Sequence, residues 1–148
     1  MPINPLPADL SIRPYREGDQ SYLAATFLKS ARNLALFAGT PDRLYYEPMQ
    51  RLLNTFLHHP AARVAVVCES DDPDHIVAWV CAWLLDNSAV IWYAYTRAQR
   101  RREGICGHLI DTLPGASKAG VFTSQIWNRI SQKRHIVRYP TLILEVSR

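Results

Sequence analysis

Three apolar runs follow one another in the middle of the chain with only short polar breaks: "RVAVVCES", "IVAWVCAWLL" and "AVIWYAYT", separated by "DDPDH" and "DNS". Each run is rich in β-branched and aromatic residues, which fit a pleated surface and lose side-chain freedom in a helix. The breaks are clusters of Asp, Pro, Asn and Ser, residues that turn a chain back on itself. Runs so placed read as an antiparallel three-stranded meander, and the rest of the fold has to be built around it.

On either side the pattern changes. Residues 1–9 carry Pro2, Pro5 and Pro7, which donate no backbone hydrogen bond, so they read as a flexible amino-terminal arm before one domain over 10–148. "LSIRPY" is a short strand that stops at Pro14, and "REGD" turns the chain, with Asp19 placed to cap a helix. In "QSYLAATFLKSAR", Leu23, Phe27 and Ala31 repeat every four residues, the period of one helical face. "AGTPDRLYY" reads as loop or a single turn, and Pro48 suits the first turn of a second helix, "MQRLLNTFLHH", which Pro60 ends. Beyond the meander come a helix "GHLIDTL" stopped at Pro114 and Gly115, a strand "GVFTSQ", a polar helix "IWNRISQKR" and a strand "PTLILEV". The expected order is βααβββαβαβ, an α+β fold with a mixed, mostly antiparallel sheet.

Composition narrows the class. A chain of 148 residues, 48% hydrophobic and 20% charged, is an ordinary globular domain. Its net charge of +4 gathers at Arg97–Arg102 and Arg129–Arg138, which suits an anionic partner without requiring one. Cys68, Cys81 and Cys106 are odd in number and widely spaced, so neither a disulfide framework nor a zinc site is indicated. No two histidines have metal-ligand spacing, so no metal is expected. There is no signal-peptide pattern and no run of about 20 apolar residues, which points to the cytoplasm and away from a membrane.

The stretch "QRRREGICGHLID", Gln99–Asp111, stands between the last meander strand and a helix. A strand, a turn and a helix beginning near Gly104 aim several backbone N–H groups and a positive helix end at one spot, where an anion is stabilised. Gly104 and Gly107 bring the backbone close, since an approaching pyrophosphate leaves no room for a Cβ. No Lys-Ser or Lys-Thr pair follows, which excludes a Walker-type loop. Arg101-x-x-Gly104-x-Cys106, after such a strand and within the order βααβββαβαβ, resembles the acyl-CoA loop of the GCN5-related N-acetyltransferases, and "SIRPYREGD" resembles that family's first strand and turn. Cys106 departs from the pattern, which mostly has Gly or Ala there.

The resemblance implies a fold and a site. The fourth and fifth strands would splay to admit the pantetheine arm of acetyl-CoA or another acyl-CoA. Backbone groups of Ala94, Tyr95 and Thr96 would pair with that arm, and N–H groups across Arg101, Arg102, Glu103, Gly104, Ile105, Cys106 and Gly107 would hold the pyrophosphate. An amine would attack the thioester directly, which requires a base, oxyanion donors and an acid for the departing thiolate. Tyr139 is the nearest tyrosine for the acid and reads equally as a core anchor of the last strand; Ser124 is the runner-up. Glu69, with His75 across the turn, can serve as a base only through water, and each reads also as a surface residue. Asp42, Tyr45 and Tyr46 would form one wall of the acceptor site, with Tyr93 near the reacting carbonyl.

The acceptor stays open between a small-molecule and a protein amine, and the chain between monomer and homodimer. Two alternatives share the fold. "WYAYT", the arginine loop and "VFTSQIW...RYP" also resemble a phage-associated branch akin to the Mom-type DNA-modifying proteins, which would place the chain in a host cytoplasm and give Arg129–Arg138 phosphates to contact. The missing carboxylate on "AVIWYAYT" and Cys106 suit a non-catalytic binder.

Overall fold

The structure is a computed structural model and describes residues 5–33, 37–85, 88–113, 120–122 and 137–138. The elements are β1 (Leu10–Pro14), α1 (Gln20–Ala31), α2 (Asp42–His58), β2 (Ala62–Glu69), β3 (Asp72–Leu85), β4 (Ser88–Thr96), α3 (Ile105–Asp111), β5 (Gly120–Phe122) and β6 (Val137–Arg138). Single 3-10 turns at Glu17–Asp19 and Ala98–Arg100 precede α1 and α3. They form one six-stranded sheet in the order β1-β2-β3-β4-β5-β6. The first four strands are antiparallel, whereas β4–β5 and β5–β6 run parallel. This is the expected α+β architecture.

The meander strands carry both halves of the core, because successive side chains of a strand face opposite ways. On β3, Trp79, Cys81 and Trp83 turn toward α1 and α2, where they meet Leu23, Phe27, Tyr45, Leu53 and Phe56. The alternate residues Ala78, Val80 and Ala82 turn toward α3 and meet Ile105, Leu109 and Ile110. Bulky rings thus fill the wide side under two helices, while small side chains leave α3 close to the sheet. Phe56 stacks on Trp92 at 4.4 Å, and the Trp83 indole N–H donates to the Phe56 carbonyl at 3.0 Å, which satisfies the Trp83 nitrogen inside the wide side.

Three boundaries differ from expectation. The second helix starts at Asp42, six residues before Pro48, with Pro41 as its extended N-cap residue. Pro48 therefore lies inside α2, at the cost of one backbone donor. β3 starts at Asp72, so the turn is confined to Ser70 and Asp71 and Pro73 belongs to the strand. Asp19 does not cap α1, which has no side-chain cap bond. The polar helix expected over 126–134 and the strand expected over 140–146 lie outside the described residues.

Asp19 has another task. Arg13 NH1 and NH2 donate to its two carboxylate oxygens at 2.7 and 2.8 Å, and the Arg16 backbone N–H adds a third bond at 2.8 Å. The same guanidinium donates from Nε and NH2 to the Pro73 carbonyl at 3.1 and 2.9 Å. The pair is buried, with side chains 9% and 8% exposed, and joins the edge strand, the turn into α1 and the start of β3. Ahead of β1, Ser70 N–H donates to the Asp9 carbonyl at 2.9 Å, and Leu6 packs against the α3-side cluster.

The Arg13 hydrogen bonds hold the Asp19 carboxyl below its ordinary pKa near 3.8, with burial opposing. A lowered carboxylate pKa gives stability that is complete above the unfolded value and is lost as pH falls through the folded one. Asp19→Asn should therefore cost about 2 kcal/mol at pH 7, as for bonds to a buried charge. That deficit should shrink below pH 3.8, as followed by urea denaturation of both proteins.

Candidate active site

The site begins with an irregularity in β4. Tyr93 is paired with Cys81 but Ile91 with Ala82, so Trp92 is one extra residue in the ladder, a β-bulge. The consequence shows in the side chains. Val90, Trp92 and Tyr93 belong to the α1/α2 side and Ile91 and Ala94 to the α3 side, so two successive residues, Trp92 and Tyr93, share a face. On the other edge of β4, Ala89, Val90 and Ile91 pair in parallel with Gly120, Val121 and Phe122. Ala94, Tyr95 and Thr96 follow the bulge, where strand twist is sharper. These three are held on the β3 side by Val80, Trp79 and Ala78. An antiparallel strand points half its backbone groups away from a single partner.

The chain then turns. Arg97 N–H closes the sheet on the Val77 carbonyl at 2.9 Å, and the 3-10 turn Ala98–Arg100 follows. Arg102 at φ 67° and Gly104 at φ 76° are left-handed, and Gly104 is the N-cap residue of α3. Glycine takes that conformation without steric cost, whereas arginine does not. The first bond of α3 runs from His108 N–H to the Gly104 carbonyl at 3.0 Å, and no side chain caps the helix. The N–H groups of Ile105, Cys106 and Gly107 come before that bond and stand at the positive end of the helix. Cys106 is half-buried and packs against the α3-side cluster, so its side chain lies along the core.

The arginines of this turn are not equivalent. Arg100 donates from NH1 and NH2 to Asp9 at 2.8 and 3.1 Å and from Nε to Glu103 at 2.6 Å. Arg101 is exposed, and its Nε donates to the Thr96 carbonyl at 3.1 Å, which occupies one group expected to meet a ligand. Arg102 and Glu103 are exposed.

On the α1/α2 side, the Tyr93 hydroxyl shares a 2.7 Å hydrogen bond with Ser30 Oγ, and its ring meets Phe27 edge-on at 4.9 Å. Burial pushes the Tyr93 phenol up, so it stays protonated at neutral pH. Trp79 donates to Thr26 Oγ1 at 2.9 Å, and the Arg97 guanidinium stands 5.7 Å from the Tyr22 ring. Tyr22, Thr26 and Ser30 thus form a polar stripe on α1 facing β3 and β4. Sequence reasoning passed over it, although its four-residue spacing lies one position before the apolar stripe Leu23, Phe27 and Ala31.

The expected acceptor wall is divided. Tyr45 is fully buried, its hydroxyl donates to the Leu28 carbonyl, and burial pushes its pKa up to about 12. Arg32 lies 4.7 Å over the Tyr45 ring and reaches Asp42 at 3.2 Å. Tyr46 is exposed and meets the Tyr45 ring edge-on. Glu69 and His75 stand 3.6 Å apart; Glu69 is on β2, two strand spacings or roughly 10 Å from β4, and His75 is on β3 beyond the end of its ladder with β4 at Ala78↔Thr96. Ser124 and Tyr139 lie outside the described residues. Among the described residues no cluster of His, Cys, Asp or Glu could hold a metal, and no helix is long and apolar enough to cross a membrane.

No protein-family model matches the sequence, and no curated protein matches it. Solved structures do match. A candidate acetyltransferase from Deinococcus radiodurans R1 is 18% identical, covers 89% of this chain and 85% of its own, and has a TM-score of 0.53. An acetyltransferase of the GNAT family from Staphylococcus aureus Mu50 is 16% identical, with 69% and 62% covered and a TM-score of 0.51. The PaiA N-acetyltransferase from Thermoplasma acidophilum, in complex with coenzyme A, is 16% identical, with 68% and 67% covered and a TM-score of 0.50. At these identities the likeness is one of fold, and the chain has the fold of the GCN5-related N-acetyltransferases.

Because Gly104 is left-handed, Gly104→Ala should lower folding stability by about 1 kcal/mol, and Arg102→Gly should not lower it. Thermal unfolding of the two variants beside the parent checks both signs.

Proposed function

We propose that this chain is an acyl-CoA-dependent N-acyltransferase that moves an acetyl group from acetyl-CoA to a primary amine. The observations that support the reading are the bulge in β4 between Ile91 and Tyr93 and the left-handed turn at Arg102 and Gly104 into α3, both within this fold. The site residues and their roles are part of the proposal.

Backbone groups of Ala94 and Tyr95 would pair with the pantetheine arm, with Thr96 joining once Arg101 releases its carbonyl. N–H groups from Arg101 to Gly107 would bind the pyrophosphate, as a helix amino terminus and a close glycine allow. Cys106 offers no obstacle, since it packs toward the core. The acceptor nitrogen would attack the thioester carbonyl and form a tetrahedral intermediate, its oxyanion facing β4 N–H groups. Collapse would break the C–S bond, with a proton passing to the thiolate from Tyr139 or Ser124. The ammonium proton would leave through water toward Glu69 and His75. Asp42, Tyr46 and Tyr93 would border a small-molecule or protein amine, with Tyr45 supporting them from beneath. A nucleic-acid target gains no support from the described residues, where Arg100 is engaged by two carboxylates and only the backbone of Val137 and Arg138 represents the second basic segment.

Acetyl-CoA at one hundred times its Kd should stabilise the native state by about 2.7 kcal/mol, read as a rise in Tm. Thiol should be released when an amine panel is added. Gly104→Asp should stay folded and lose both responses. The absence of any shift with acyl-CoAs at millimolar concentration would remove the reading, and binding without turnover on any amine would favour a non-catalytic binder.

A further inference from the structure

We propose that Asp9, in the segment before β1, is a positioning residue for the phosphate-binding turn, holding it in shape through Arg100. The inference rests on the acyl-CoA reading of that turn. A left-handed arginine such as Arg102 is sterically strained and persists only where its surroundings enforce it. The enforcing contacts are visible. Arg100 grips Glu103 across Arg102 with Nε and commits both remaining nitrogens to Asp9 in a two-point pair.

Asp9 is itself tied to the scaffold. Its carbonyl accepts Ser70 N–H from the β2–β3 turn, the next residue, Leu10, begins β1 opposite Glu69, and Leu6 packs on the α3-side cluster that includes Cys106. The turn is thus clamped to two strands it does not follow in sequence. Two carboxylates on one guanidinium also leave Arg100 no two-donor edge for a phosphate. Arg100 hydrogen bonding holds the Asp9 carboxyl below its ordinary range, so the carboxylate is charged at neutral pH.

The two roles open to Arg100 give opposite signs. If Arg100 were a phosphate ligand restrained by Asp9, removing the carboxylate would free it and tighten CoA binding. If Asp9 positions the turn, CoA binding weakens while pantetheine, which lacks the phosphates, is unaffected. Titration calorimetry on the full chain should show Asp9→Asn losing about three- to fivefold in CoA affinity, the range of an exposed pair, with pantetheine affinity unchanged. Arg100→Gln should match it, the double variant should be no worse, and Asp9→Glu should recover most of the loss. Unchanged or tighter CoA binding by Asp9→Asn, or an equal loss for CoA and pantetheine, overturns the proposal. If the parent protein binds no CoA, the acyl-CoA reading falls and takes this inference with it; normal parent binding with an indifferent Asp9→Asn removes the inference alone.

Discussion

One extra residue in β4 organises the site. Side chains on a strand alternate, so plain alternation from Trp92 would send Tyr93 to the other face; the bulge sets both on one face and keeps the later residues in register with β3. Tyr93 joins Trp92 under α1 and α2, Ala94 goes to the α3 side, and Tyr95 returns to the helices. Without the bulge, Tyr93 would point its phenol into the tight α3 layer, where small residues leave no room for it.

The layers around the bulge explain why the turn after β4 keeps its shape. Ala78, Val80 and Ala82 let α3 sit close, and Ile105, Leu109 and Ile110 fasten it there, so the Gly104 N-cap is held at a fixed height above the sheet. Arg13 and Asp19 do the corresponding work across the first strand, the turn into α1 and the start of β3. Both anchors use charge where the chain changes direction and apolar contact where it runs straight. The exposed pair of Asp9 with Arg100 contributes less to stability than the buried one.

Much of this was legible in the sequence. The β-branched runs announced the meander, the four-residue spacing announced α1, and Gly104 announced the turn before α3. What was missed has physical reasons. Proline suits a first helical turn, so Pro48 hid the true start of α2 at Asp42, and that longer helix is what buries Tyr45 instead of leaving it in a loop wall. A bulge has no compositional mark, and plain alternation along "WYAYT" would have set Trp92 and Tyr93 on opposite faces. Asp9 and Arg100 are ninety-one residues apart, beyond any local pattern. Cys106 departs from the family loop by size alone, and only the packing of α3 shows its side chain directed to the core.

The central claim is that the β4 edge and the turn before α3 form one binding surface for an acyl-CoA. A crystal structure of the protein grown with CoA tests it most directly. The account predicts the pyrophosphate on the backbone N–H groups between Arg101 and Gly107 and the pantetheine arm running antiparallel or parallel to Ala94–Thr96, with the Arg101 side chain withdrawn from the Thr96 carbonyl. CoA bound elsewhere on the sheet, or phosphates held by side chains with those amides uninvolved, would contradict it.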